Sequence, residues 1–119
     1  MKILFTSLCI LFFQFSIYSQ TEDDYKNTLE LVKKAFNEGK ATLIHEKFND
    51  ALKGKLKPTP FKKTIDSLHN NKGVMSSYEL ILEEEKERNY LVEFENGTLL
   101  MLLHLTSDGK ISTFVIKEY

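Results

Sequence analysis

The chain contains one cysteine among its 119 residues, Cys9, so no intramolecular disulfide can form. Cys9 lies inside the apolar N-terminal stretch "ILFTSLCILFFQF". If that stretch leaves on export, the mature chain has neither a thiol nucleophile nor a thiolate metal ligand. An excess of one charge is missing too. The 16 Lys and Arg residues stand against 17 Asp and Glu, a net charge of −1, which argues against nucleic acid as a partner. There is no internal repeat, linker or low-complexity segment, and hence no room for a second domain. Catalytic signatures are absent as well: no G-x-S-x-G elbow, no S-x-x-K and no glycine-rich phosphate loop. "HEKFN" starts like a zincin helix, but the position four residues after His45 is Asn49 and not a second histidine, so the motif fails. These gaps exclude nucleophilic hydrolysis and nucleotide binding, and they leave no cofactor or metal site to expect.

What is present begins with an export signal. Lys2 is followed by about a dozen mostly apolar residues, and polar Ser19, Gln20, Thr21 and Glu22 come next. The apolar run is short of the roughly 20 residues that a membrane-spanning helix needs. Cleavage is expected between Ser19 and Gln20, dividing the chain into a signal peptide, 1–19, and a single domain, 20–119. The protein is then secreted or periplasmic, with no stable membrane anchor after cleavage. Cys9 does not suit lipid attachment, because Leu8 stands where a small residue is wanted and more apolar sequence follows. The remaining hundred or so residues can bury a core of their own.

Apolar periodicity divides that domain in two. Tyr25, Leu29, Val32 and Phe36 fall on one helical stripe, with Asp23 or Asp24 to cap it and Gly39 to end it. Ala41, Ile44, Phe48, Ala51 and Leu52 form a second stripe, stopped by Gly54 and Pro58. Thr59 and Pro60 read as the N-cap and first position of a third helix carrying Phe61, Ile65 and Leu68 and closed by Gly73. Beyond Gly73 the period falls to two: Val74, Ser76, Tyr78, Leu80 and Leu82 alternate in one strand, and Tyr90, Val92 and Phe94 in the next. Asn96-Gly97 predicts a type I′ hairpin, and Asp108-Gly109 a second turn before a last strand. The fold class expected is α+β, three helices packed on a curved four-stranded antiparallel sheet. Asn96-Gly97-Thr98 also matches a glycosylation acceptor, but the turn accounts for those residues.

The hairpin decides what His104, set among leucines, can do. A turn at Asn96-Gly97 pairs Phe94 with Leu99, Val92 with Met101 and Tyr90 with Leu103. One face then carries Tyr90, Val92, Phe94, Leu99, Met101, Leu103 and Leu105, which the helices must cover. The other carries Leu91, Glu93, Glu95, Leu100, Leu102 and His104. A general base would have to face the cavity beneath the helices, and His104 points away from it. Its company of Leu91, Leu100 and Leu102 suits a sheet that packs on a second subunit, so these four residues form the candidate dimer face. Tyr78, Tyr90 and Met101 form the candidate cavity, where a carboxylate–tyrosine isomerase or a small apolar ligand could be accommodated. Glu93 and Glu95 face outward and supply no strand-borne base there. His45 and His69 border helical stripes and read as packed rings rather than ligands. The lysines at 53, 55, 57, 62 and 63 and the glutamates at 83, 84, 85 and 87 read as solvated edges.

The order of these pieces resembles a known family. "KKAFNEGKATLIHEKFNDALKGKL", "TPFKKTIDSLHNNKGVMSSYEL" and "YLVEFENGTLLMLLHLTSDGKISTFVI" resemble the bacterial secreted domain of unknown function 3887, in the nuclear-transport-factor-2-like, cystatin-like superfamily. The likeness runs from about Tyr25 to Ile116 and includes Glu38-Gly39, Gly73 and "SDGKI". It implies a cone-like sheet wrapped around helices, dimerisation through the outer sheet face, and no agreed activity or site residues. Family members are often fused ahead of secreted hydrolases, and no hydrolase follows within this sequence. The expectation is an exported, non-enzymatic binding or protein-interaction module that forms a homodimer through the outer sheet face. The alternatives are a small-ligand-binding or isomerase-like enzyme using the cavity, and an accessory or inhibitor of a secreted hydrolase. The last lacks the Gln-x-Val-x-Gly loop of true cystatins.

Overall fold

The structure, a computed structural model, describes residues 22–85 and 87–119. The expected signal peptide and its cleavage point lie outside the described residues. Four helices precede four strands: α1 over 22–38, α2 Ala41–His45, α3 Asp50–Lys55, α4 Pro58–Lys72, β1 Met75–Glu83, β2 Arg88–Phe94, β3 Gly97–Leu105 and β4 Ile111–Glu118. The strands form one antiparallel sheet in the order β1-β2-β3-β4. The α+β class and the antiparallel sheet are as the periodicity implies. Among the described residues no helix is long and apolar enough to cross a membrane.

The helices number four among the described residues, not three, because the second stripe is interrupted. Phe48 bridges in parallel to Ile111, the Asn49 N–H donates to the Ile111 carbonyl (2.9 Å), and the Ile111 N–H donates to the Lys47 carbonyl (2.7 Å). Residues 47–49 thus pair with the sheet instead of continuing the helix. Asn49 then caps α3, its side-chain oxygen accepting from the Leu52 N–H at 2.9 Å. Phe48, 1% exposed, meets Phe61 at 5.1 Å and Phe114 at 5.9 Å between ring centroids. This aromatic triangle fastens α4 to β4. Helix α4 starts two residues earlier than expected. Lys57 occupies the cap and Pro58 the first turn, as suits a residue held extended by a following proline.

The first strand does not keep a single alternation. Asn37 on α1 clamps it at Met75, donating from Nδ2 to the Met75 carbonyl (3.0 Å) and accepting from the Met75 N–H (2.8 Å). Met75 is therefore buried, while Val74 is exposed. A bulge between Met75 and Ser77 carries Tyr78 and Leu80 to the helix side, opposite Val92 and Tyr90. A second irregularity between Leu80 and Leu82 then returns Leu82 to the outer side, opposite Asn89.

The central hairpin turns one residue earlier than Asn96-Gly97. Phe94 pairs with Gly97, Val92 with Leu99 and Tyr90 with Met101, so the register is offset by two residues from that expected. Neither Glu95 nor Asn96 has positive φ, which rules out type I′; the positive value is at Gly97, at 148°. The connection after α4 explains the position. The Asn96 N–H donates to the Lys72 carbonyl (2.9 Å) and the Glu95 N–H to the Val74 carbonyl (3.0 Å), while Glu95 Oε1 accepts from the Val74 N–H at 2.7 Å. Gly73 makes this seat possible, with φ of 80° and space for no Cβ, which would stand 2.8 Å from Glu95 Oε1. An offset of two preserves side-chain parity, so the faces stand as assigned. Tyr90, Val92, Phe94, Leu99, Met101, Leu103 and Leu105 are all buried against the helices.

Candidate functional site

The space between helices and sheet is closed by the core, and two hollows open at its edges among the described residues. Val32, Phe36, Ile44 and Ile65 from the helices meet Met75, Val92, Leu99, Met101, Leu103 and Ile111, each no more than 1% exposed. Met101 is thus a core residue and lines neither opening, contrary to its expected place in a cavity with Tyr78 and Tyr90.

The two tyrosines do meet at one edge. Their rings stand at 86° with centroids 6.5 Å apart, beside a hollow of about 220 Å³ bordered by Tyr25, Leu29, Leu80 and Arg88. Burial pushes both phenols above their ordinary value, that of Tyr78 further raised by Glu30 and that of Tyr90 partly offset by Arg88. The dominant group in this hollow is Arg88, which the sequence reading passed over. Its guanidinium carbon lies 4.0 Å above the centre of the Tyr25 ring. It donates from Nη2 to Glu22 Oε1 (2.5 Å) and from Nη1 to Glu22 Oε2 (3.2 Å), with Glu83 Oε1 at 3.5 Å. The bidentate pair holds the Glu22 carboxyl below, and the Arg88 guanidinium above, their ordinary values. Beneath the guanidinium, the Tyr25 hydroxyl accepts the Leu105 N–H at 3.0 Å, where the β3–β4 register shifts. One signal could have found this group: Arg88 is the chain's single arginine, at a place where stacking and a fork of two donors cannot be supplied by lysine.

The second opening is larger, a cleft of about 360 Å³ between α4 and β4. Phe61, Ile65, Leu68 and Ile116 line it, and Lys55 and Lys57 stand among its borders. Two of the lysines read as a solvated edge therefore adjoin an apolar hollow.

His104 is half-buried on the outer face, opposite Thr113, with Leu91, Leu100 and Leu102 on the same side of the sheet. His45 Nε2 donates to the Leu56 carbonyl at 2.7 Å, and its ring packs 5.1 Å from that of Phe48. His69 sets its ring edge-on to Phe36 at 5.5 Å, and its buried Nδ1 has no hydrogen-bond partner among the described residues. Both are packed rings joining helices to core. Among the described residues no three His, Cys, Asp or Glu side chains are grouped to hold a metal. Comparison with family models, with curated proteins and with solved structures finds no match to this chain.

Proposed function

We propose that the chain is an exported, non-enzymatic protein-interaction module with a cone-like, nuclear-transport-factor-2-like sheet, and that it self-associates through the outer face of that sheet. The observation that carries this reading is the face itself. Leu82, Leu91, Leu100, Leu102 and Val115 spread over all four strands on the side away from the helices, with Leu82 52% and Val115 40% exposed. Charge supports a second copy as the occupant. The cross-strand row Glu79, Leu91, Leu100, Lys117 is acidic at the β1 edge, apolar in the middle and basic at the β4 edge. A two-fold axis parallel to the strands sets β1 of one copy over β4 of the other, bringing each Glu79 to a Lys117. The sheet has a planar footprint of roughly 500 Å² per copy, about 1,000 Å² for the pair, at the low end for specific association.

The isomerase-like alternative needs a proton-transfer group poised near the working pH. The hollow beside Tyr78 and Tyr90 has phenols pushed the other way and an arginine already engaged by Glu22, which favours the interaction reading. Sedimentation velocity across a concentration series tests it. A reversible dimer is expected, weakened at least tenfold by Leu102→Glu and measurably by His104→Glu, since each puts a carboxylate into the apolar centre. A chain that stays monomeric, or a Leu102→Glu dimer of unaltered affinity, would refute the proposal. N-terminal sequencing of the exported protein, expected to begin at Gln20, tests the leader.

A further inference from the structure

The cleft between α4 and β4 presents apolar surface that the fold leaves uncovered. Phe61 and Ile65 form its floor and are buried, while Leu56, Leu68 and Ile116 remain half-buried along its sides. The polar group in its wall is already occupied, because the Thr64 hydroxyl donates to the Pro60 carbonyl at 3.1 Å. The Thr64 proton is thus taken, and what the side chains of the wall offer is chiefly apolar contact. The cations are at the border. Lys55 ends α3 and Lys57 caps α4, both are exposed, and neither belongs to an ion pair among the described residues. An apolar trough with a pair of cations at its border suits a molecule with an apolar body and an anionic head.

We propose that this cleft binds a small amphiphilic carboxylate, its chain lying over Phe61, Leu68 and Ile116 and its carboxylate held between Lys55 and Lys57. The size agrees. At roughly 30 Å³ for each water-sized group, 360 Å³ accommodates about a dozen non-hydrogen atoms, those of a ten-carbon fatty acid. A neutral chain would gain the apolar contact without the lysines, and a cationic one would be repelled by them. The proposal does not rest on self-association, and its readout is specific to the cleft.

The test is titration of the ¹⁵N-labelled full chain with sodium decanoate, and in parallel with decanol and decyltrimethylammonium, all below their micellar concentrations. Decanoate is expected to bind saturably and move the amide signals of Leu56, Thr64, Leu68 and Ile116, and to bind more tightly than either comparison molecule. Replacing both lysines, Lys55→Gln with Lys57→Gln, is expected to weaken decanoate about fivefold, the sum of two exposed charge contacts, while leaving decanol unchanged. Thr64→Trp, a substitution at an exposed helix position, is expected to fill the cleft and abolish binding. Shifts centred on the Tyr78–Tyr90 hollow or the outer sheet face would overturn the proposal. So would absence of saturation, equal affinity for the three amphiphiles, or binding unaffected by the lysine pair or by Thr64→Trp.

Discussion

Arg88 contributes to stability chiefly through stacking and burial, and its ion pair is the smaller part. Its side chain is 8% exposed, whereas that of Glu22 is 58% exposed, so the pair works against solvent screening and is worth at most about 1 kcal/mol. The guanidinium on the Tyr25 ring adds about 0.5–2 kcal/mol. Burial of the two methylenes that alanine lacks adds about 1.6 kcal/mol at roughly 0.8 kcal/mol per methylene. Arg88→Ala is therefore expected to cost about 2–4 kcal/mol and Glu22→Gln no more than about 1 kcal/mol. Arg88→Lys keeps charge and stem but loses the plate and the fork, and should cost an intermediate amount. At about 4–8 °C per kcal/mol for a domain of this size, thermal melts followed by circular dichroism separate the three variants readily. If Glu22→Gln lowered Tm as far as Arg88→Ala does, the ion pair and not the stacked, buried side chain would be the source of stability, and the ordering argued here would be refuted.

The same pair predicts a pH dependence. A carboxyl held below its unfolded value of 4.5 stabilises the fold above that value and stops doing so as pH falls through the lowered one; the stability gap between wild type and Glu22→Gln, measured by urea melts, should persist at neutral pH and close in acid. Gly73→Ala forces a side chain onto a φ of 80° and against Glu95 Oε1 at 2.8 Å, and is expected to cost about 1–3 kcal/mol in denaturant unfolding. Asn37→Leu removes both side-chain bonds to Met75; the stranded N–H should cost about 1–3 kcal/mol, and hydrogen exchange at the Met75 amide should accelerate beyond what the global loss of stability explains.

How much was legible follows from which interactions are local. The α1 stripe and its stop at Gly39, the parity of β2 and β3, and the outward side of His104 are written in residue spacing, because burial on one face sorts residues at a period of two or 3.6. The break at residues 47–49 is not local. Phe48 and Ile111 are far apart in sequence, and their bridge overrides a stripe that alone would continue as helix. The hairpin position failed for the same reason. Asn96-Gly97 is the strongest local turn signal, but the Lys72 and Val74 carbonyls capture the Asn96 and Glu95 N–H groups and set the turn one residue earlier. Arg88 escaped notice because its partners Glu22 and Tyr25 lie at the other end of the domain.

The filled interior limits where binding can occur. Met101 and its neighbours close the space beneath the helices, so a ligand entering there would have to displace core side chains, at several kcal/mol for even one large one. Among the described residues, surfaces that can bind without such a cost include the outer sheet face and the two edge hollows. The edges differ in kind. At the β1 edge, Arg88 satisfies its charge with Glu22 and its ring contact with Tyr25, and a newcomer must break those before making its own. At the β4 edge, Lys55 and Lys57 have no such partners among the described residues, and the adjoining leucines are half-covered. Binding there exchanges water alone, which is why the α4–β4 cleft, and not the paired tyrosines, is the more economical place for a small ligand.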